Sequence, residues 1–372
     1  MLNISTPKYY VSEPGALNRL GQITEEVIRS DRKTEQGDHT FRAYVIASPT
    51  AWKKAGDAVA EQLSRQVIDF RQVTFPGYPS ERQAREFAAE AVQDKADVII
   101  AVGGGRTMDV SKAAGTFAKL PVVTVPTIAA TCASWAAVSI LYTDEGDFDH
   151  PLMNPASPRA IIADTEIIGR APIRYIKAGI ADTLAKWYEP VYSSKESFTT
   201  KISQHGAHLA YEAITEKSGR VLRNLEQGVI NEETVEIIDT IFYLAGFVGS
   251  FIGERAFGGF AHPFYHSSRR IPSTRKILHG ELVAFGLVAQ IAFEQRTEEQ
   301  SGLLDILGRL DNLFTLEEIG LTEYEDKKII ANRILADCKG CVADGRSAEE
   351  VIAAFDRADE IITVYKDKQR SA

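Results

Sequence analysis

The sequence predicts an α/β domain built on a parallel sheet over residues 1–164, followed by an all-helical domain over residues 165–372. Three observations carry this expectation. In the first half, short β-type runs alternate with amphipathic stretches, the signature of strands joined by crossover helices. One run, ADVIIAVGGG, stays apolar up to its glycines, as a central strand buried on both faces requires. Beyond about Asp164 strong strand runs cease, and apolar residues fall at i, i+3 and i+4.

Taken in order, AYVIAS (Ala43 to Ser48) reads as a strand and Thr50 to Gln66 as a helix. QVTFPG reads as a second strand, and Ser80 to Lys95 as a helix that opens on Ser80 and Glu81. ADVIIAVGGG follows as the central strand, then a helix containing Met108, Ala113 and Ala114, then the strand PVVTVPT. The stretch from Val138 to Asp164 reads as a hairpin or meander that leads back into the sheet, and TEIIGRAPIRYIKAGIADTLAKWYE opens the helical half. No internal repeat or low-complexity segment interrupts the pattern.

The chain has 372 residues, 44% hydrophobic and 25% charged, which is an ordinary globular composition with room for two domains. A formal charge of −9 argues against nucleic acid and anionic membranes as partners and favours small molecules. The N-terminus has no basic segment leading into an apolar one, and no window approaches eighteen uninterrupted apolar residues, so a cytoplasmic location is expected. Three cysteines fit a reducing compartment. Cys338 and Cys341 form a lone CxxC, which is half of a four-ligand zinc site; the plainer reading is two helix cysteines.

The segment IIAVGGGRTMDVSKAAG raises the first chemical question, because three glycines separate a buried strand from a helix. Gly103, Gly104 and Gly105 there permit positive φ and let backbone N–H groups approach a ligand without a Cβ in the way. The helix N-terminus adds about half a positive charge, which suits a pyrophosphate. A plain tight connection is the alternative, and the position after a central strand favours the dinucleotide. Asp109 and Lys112 fall in the first two turns of that helix, where Asp109 could hold the loop or a ribose.

GGGRTMDVSKAAG, VPTIAATCASW, DTEII, AGIADTLAKWYE and HGELVAFG occur in that order. Together they resemble the glycerol dehydrogenase-like branch of the iron-containing alcohol dehydrogenase superfamily, over roughly residues 5 to 300. Within the branch, PTIAATCASW and GIADTLAKWYE look closest to the hydroxycarboxylate dehydrogenases. The resemblance implies a dehydroquinate synthase-like fold, a nicotinamide cofactor and a divalent metal. It places the metal ligands at Asp182, His262 and His279. An acid and two imidazoles with one open position form the ligand set of a catalytic zinc. Iron-using members carry a further histidine one helical turn after the aspartate; Lys186 stands there, which favours zinc over iron. His266, four residues after His262, is a candidate proton relay or substrate contact, and Pro263 puts the helical geometry between them in doubt. AHPFYHSSR also departs from the AHAIHNG-like run usual in glycerol dehydrogenases.

Two further departures bear on specificity. Glycerol dehydrogenases carry a polyol-binding aspartate where this chain has Cys132, and a neutral thiol neither accepts two hydroxyl hydrogen bonds nor repels an anion. Arg269 and Arg270 could then pair with a substrate carboxylate, or form a solvated charge pair. NAD-specific relatives end the first strand with an acid that binds the adenosine ribose; Ser48 stands there, which permits NADP, with Lys53 or Lys54 in reach of a 2′-phosphate. Thr107 joins the glycines as a cofactor contact, and Thr127 and Thr131 are expected to line the nicotinamide side. The resemblance thus implies a homo-oligomeric enzyme that moves hydride between NAD(P)H and a small 2-oxo acid. The rivals are a polyol dehydrogenase of the same fold, a dehydroquinate synthase-type lyase or cyclase, and a non-catalytic cofactor-binding protein.

Overall fold

A computed structural model describes residues 4–31, 40–190, 198–251, 259–337 and 342–371. Cys338 and Cys341 lie outside the described residues. Among the described residues there are eight strands, all before Thr165: β1 (Tyr9–Glu13), β2 (Arg42–Ala47), β3 (Asp69–Thr74), β4 (Val98–Gly103), β5 (Val122–Pro126), β6 (Val138–Tyr142), β7 (Phe148–Met153) and β8 (Ala160–Asp164). Six of them form one parallel sheet in the order β1-β8-β5-β4-β2-β3, and β6 with β7 makes a separate antiparallel hairpin. Among the described residues, everything from Thr165 onward is helix, turn or loop.

Four helices, α1 (Leu20–Asp31), α2 (Pro49–Arg65), α3 (Glu81–Gln93) and α4 (Gly105–Ala118), cover the sheet. Successive strand side chains point to opposite faces, so the apolar run of β4 feeds two cores. Val98, Ile100 and Val102 join Val45 in a core with Leu20, Val27, Val59 and Leu63 of α1 and α2. Ile99 joins Tyr44 and Ile46 in a second core with Ala84, Phe87, Val110 and Ala113 of α3 and α4. This is why β4 reads as continuously hydrophobic rather than alternating.

Two elements differ from expectation. The strand expected at QVTFPG begins earlier, at Asp69, and ends at Thr74. It lies at the sheet edge beside β2 alone, where solvent reaches one side and a polar sequence is tolerated. The strand Tyr9–Glu13 was not expected; it pairs with β8, a partner some 150 residues distant in sequence that no local pattern reveals.

The chain divides into two compact units, Met1–Tyr175 with Val221–Ser250, and Ile176–Arg220 with Phe251–Ala372. Part of the helical half beyond residue 165, Val221–Ser250, thus falls in the first unit. Its anchor is the helix Glu232–Phe251, among the described residues the one helix long and apolar enough to cross a membrane, with half of its apolar window buried. Tyr10 Oη donates to Asp239 Oδ1 at 2.6 Å, and Trp135 Nε1 donates to Ser250 Oγ at 3.2 Å. Gly246 permits this approach: a Cβ on it would stand 2.3 Å from Trp135 Cγ. A π-helical turn at Thr240–Leu244 brings Tyr243 edge-on to Trp135, with ring centroids 5.2 Å apart. These contacts make the segment a core helix of the first unit.

Candidate metal centre and nucleotide turn

In the first unit, the expected cofactor contacts gather at the C-terminal edge of the parallel sheet. The sheet order places β2 between β3 and β4, so the chain reverses its direction of travel across the sheet at β2 and β4. Ligands of open α/β sheets bind outside the strand ends at such a point. Ser48 follows β2 and donates its N–H to Val102 O of β4 at 3.1 Å, and Thr127 N–H donates to Gly103 O at 2.9 Å.

The glycines do not work as expected. None of Gly103, Gly104 and Gly105 adopts positive φ; Gly104 sits at φ −101°. What they supply is clearance. A Cβ on Gly103 would lie 2.6 Å from Thr107 Oγ1, one on Gly104 2.6 Å from Ile128 Cδ1, and one on Gly105 3.3 Å from Thr131 Oγ1. The first turn of α4 and the loop after β5 thereby close onto the strand end. Gly104 caps α4 without a side-chain hydrogen bond, which leaves the helix N-terminus to an anion.

Thr107 and Thr127 are buried, while Thr131 accepts from Ala133 N–H at 3.3 Å and starts the short turn Cys132–Ser134, with Cys132 half-buried at its head. Asp109 serves the protein interior: it pairs with Lys112 Nζ at 3.0 Å, and that ammonium donates to the carbonyls of Ala136 at 3.1 Å and Val138 at 2.5 Å. Of the two roles expected for Asp109, bracing a loop is the one its contacts perform.

In the second unit, three helices converge: Arg174–Tyr188 carries Asp182, Ala261–Ser268 carries His262 and His266, and His279–Glu294 begins on His279. The convergence depends on Gly280, because a Cβ there would lie 1.9 Å from Ala178 O. Only glycine lets the start of the third helix come so near the first. Pro263 does not disturb the second helix, since it falls in the first turn, where a backbone N–H has no intrahelical acceptor to lose.

His279 Nε2 lies 2.9 Å and His262 Nε2 3.3 Å from Asp182 Oδ1. The three donor atoms stand within 4.8 Å of one another. Glu189 was missed by sequence reasoning and completes the arrangement. Its Oε2 accepts from His262 Nδ1 at 2.5 Å and its Oε1 accepts from the His262 backbone N–H at 2.8 Å. One carboxylate thus caps a helix start and fixes the imidazole tautomer, turning Nε2 towards Asp182. Gln290 locks this in place, donating to Glu189 O at 3.0 Å and accepting from Phe260 N–H at 3.0 Å. The signal that could have found Glu189 is its spacing, seven residues after Asp182 and one residue past the end of the same helix, where its N–H still donates to Ala185 O.

The electrostatics follow from this burial and pairing. Burial alone would raise the Asp182 pKa, but the charges and hydrogen bonds of His279 and His262 override it and hold the carboxyl far below the usual range. Glu189 is lowered in the same way, its burial outweighed by His262. Burial would depress His262, but Glu189 and Asp182 push it up to about 9. His266 is driven well below its ordinary value by burial and by the charges of His262 and His279. A buried anion, two converging imidazole nitrogens and an acceptor behind one of them fit a divalent metal ion.

The His266 ring is tilted 42° to that of His262, with ring centroids 6.5 Å apart, and lies outside the three-atom cluster. Arg269 is buried and donates Nη1 to Arg275 O at 3.1 Å, closing the turn Pro272–Lys276, while Arg270 is exposed. Arg269 thus commits one of its guanidinium donors to bracing a turn.

Exchange of Glu189 for glutamine is expected to weaken metal affinity by about 10–100-fold while three donors remain, because the imidazole loses its anionic support. A chelator competition titration checks this, and an affinity equal to wild type would separate Glu189 from metal binding.

A parallel-sheet nucleotide fold together with this donor set fits a nicotinamide-dependent dehydrogenase acting on CH–OH groups, and the relatives support that class. The family described as iron-containing alcohol dehydrogenase matches residues 7–165. A glycerol dehydrogenase of Pseudomonas putida is 31% identical over 370 residues, covering 96% of this chain and 97% of that protein. Hydroxycarboxylate dehydrogenase A of Escherichia coli (strain K12) is 30% identical over 336 residues, 88% of this chain and 89% of its own. The crystal structure of glycerol dehydrogenase from Schizosaccharomyces pombe shares the fold, with a TM-score of 0.85 at 21% identity over 100% of this chain and 94% of that one. The chain belongs to the iron-containing alcohol dehydrogenase family.

Proposed function

We propose that the protein transfers hydride reversibly between NAD(P)H and a small 2-oxo acid or the corresponding 2-hydroxy acid. The observation that carries the substrate class is Cys132, a half-buried thiol where polyol-oxidising relatives hold a carboxylate. In this reading the first unit binds the dinucleotide. Gly103, Gly104 and Gly105 seat the pyrophosphate beside Thr107, and Thr127 and Thr131 face the nicotinamide. The second unit binds metal and substrate through Asp182, His262 and His279, with zinc favoured over iron because Lys186 offers no fourth imidazole.

A bound divalent ion would supply Lewis-acid polarisation of the carbonyl. The remaining work falls to the chain. Asp182 contributes the anionic donor, Glu189 holds the His262 ring in one tautomer, and His266, one helical turn after His262, serves as proton relay or substrate contact in this reading. The same reading makes the enzyme a cytoplasmic homo-oligomer, in keeping with three cysteines in 372 residues.

A second reading, oxidation of glycerol or another polyol, is supported by the glycerol dehydrogenases that predominate among the relatives. Metal-loaded protein assayed side by side with 2-oxo acids, glycerol and a sugar phosphate distinguishes the readings. The expected result is a kcat/KM for a 2-oxo acid at least about tenfold above that for glycerol. A preference for glycerol would overturn the proposal.

The cofactor is tested at Ser48, whose Oγ accepts from Ala51 N–H at 3.4 Å and caps α2. Aspartate caps a helix as well as serine, so Ser48→Asp is expected to leave α2 intact. It would lower the preference for NADPH over NADH, because the new carboxylate repels a 2′-phosphate and accepts from ribose hydroxyls. The ratio of kcat/KM for the two cofactors reads the effect; an unchanged ratio would put the ribose elsewhere.

A further inference from the structure

The strand order β5-β4-β2-β3 gives the nucleotide edge of the first unit a direction. In the reading above the nicotinamide faces Thr127 and Thr131 after β5, the pyrophosphate sits on the glycine turn after β4, and the adenosine ribose lies at Ser48 after β2. Arg106 stands in the first turn of α4, beside those glycines, and is exposed. Its side chain extends to the β3 side: Nη1 donates to Gly77 O at 3.4 Å, and the guanidinium lies over the Tyr78 ring, 5.1 Å from its centroid. Gly77 and Tyr78 belong to the loop that leaves β3 beside β2, since Phe75 N–H donates to Ala47 O at 2.8 Å. Arg106 thus carries its charge from the end of β4 to the adenosine side of the glycine turn.

Two further features suit this cation to a ligand. Among the described residues it forms no ion pair, and the long bond to Gly77 O engages one of its five N–H donors. The ring beneath it is fixed, because Gly146, at φ +95°, packs against Tyr78; a Cβ there would lie 2.5 Å from Tyr78 Cε2. A guanidinium over a fixed ring has less rotamer freedom to lose and keeps its edge donors for a phosphate.

We infer that Arg106 binds the 2′-phosphate of NADP and so sets the cofactor preference that Ser48 permits. This rests on the dinucleotide reading above. In nucleotide folds of this kind an acid near the end of the second strand serves the ribose of NAD, and an arginine there answers the 2′-phosphate of NADP by paired donation to its oxygens. A cation that served the pyrophosphate instead would strengthen both cofactors equally.

The test titrates full-length protein calorimetrically with ADP-ribose and with 2′-phospho-ADP-ribose, two probes that differ in the phosphate and need neither metal nor substrate. Wild type is expected to bind the phosphorylated probe more tightly. In Arg106→Gln and Arg106→Ala the ratio of the two affinities should fall by about tenfold or more, the loss of one hydrogen-bonded charge contact. Arg106→Lys, which keeps the charge but not the fork, should retain more of the ratio than Arg106→Gln.

An equal fall for both probes, a ratio unchanged in a variant with native circular dichroism, or wild-type preference for ADP-ribose would overturn the inference and leave the dinucleotide reading standing. A larger fall in the double variant Lys53→Gln, Lys54→Gln would do the same by assigning the phosphate to α2. Wild-type protein that bound neither probe would overturn the dinucleotide reading itself, and the inference with it.

Discussion

Asp182→Ala is expected to yield a folded protein without stoichiometric metal and with kcat/KM reduced by about three orders of magnitude or more. Asp182 is the anionic member of the three-donor set, and its Oδ1 is the atom towards which both imidazole nitrogens point. Two neutral imidazoles without it hold a divalent ion weakly. The helix Arg174–Tyr188 gains a good helix former and keeps its apolar contacts through Ile180, Ala181 and Leu184, so circular dichroism should stay native. Elemental analysis decides the matter: one metal retained per chain would show that the donor assignment is wrong.

Cys132→Asp is the second large effect and the sharper test of substrate class. If the thiol stands beside the substrate carboxylate, an aspartate in its place sets two like charges about 4 Å apart, which at an effective dielectric near 20 costs about 4 kcal/mol. That corresponds to a loss of about three orders of magnitude in kcat/KM for 2-oxo acids. Glycerol oxidation should rise or hold, since the new carboxylate accepts from paired hydroxyls. Unchanged 2-oxo acid reduction in Cys132→Asp would remove the main support for the hydroxycarboxylate assignment.

Much of the molecule was legible in the sequence because the signals are local. The apolar run of β4, the glycines after it and the buried helix α4 lie within twenty-one residues, Val98–Ala118, so the strand–turn–helix pattern is read from a single short window. Asp182, His262 and His279 were also named beforehand, but through resemblance, since eighty residues separate the aspartate from the nearer histidine.

What only the tertiary structure decided is where long-range pairings assign a side chain to one of two plausible tasks. Arg269 reads as a carboxylate partner or a solvated charge, and Glu189 draws no reading from the sequence. The fold turned the first into the brace of a turn and the second into the acceptor that orients His262. The same holds for Val221–Ser250, whose helical pattern is plain but whose return to the first unit depends on Gly246 fitting under Trp135. It holds again for the glycine turn, where composition suggested positive φ and the backbone instead needed room for Thr107 and Ile128. Periodicity along a chain determines which face of an element is apolar. Which partner meets that face, and which polar group is left to meet a ligand, depends on contacts between residues far apart in sequence.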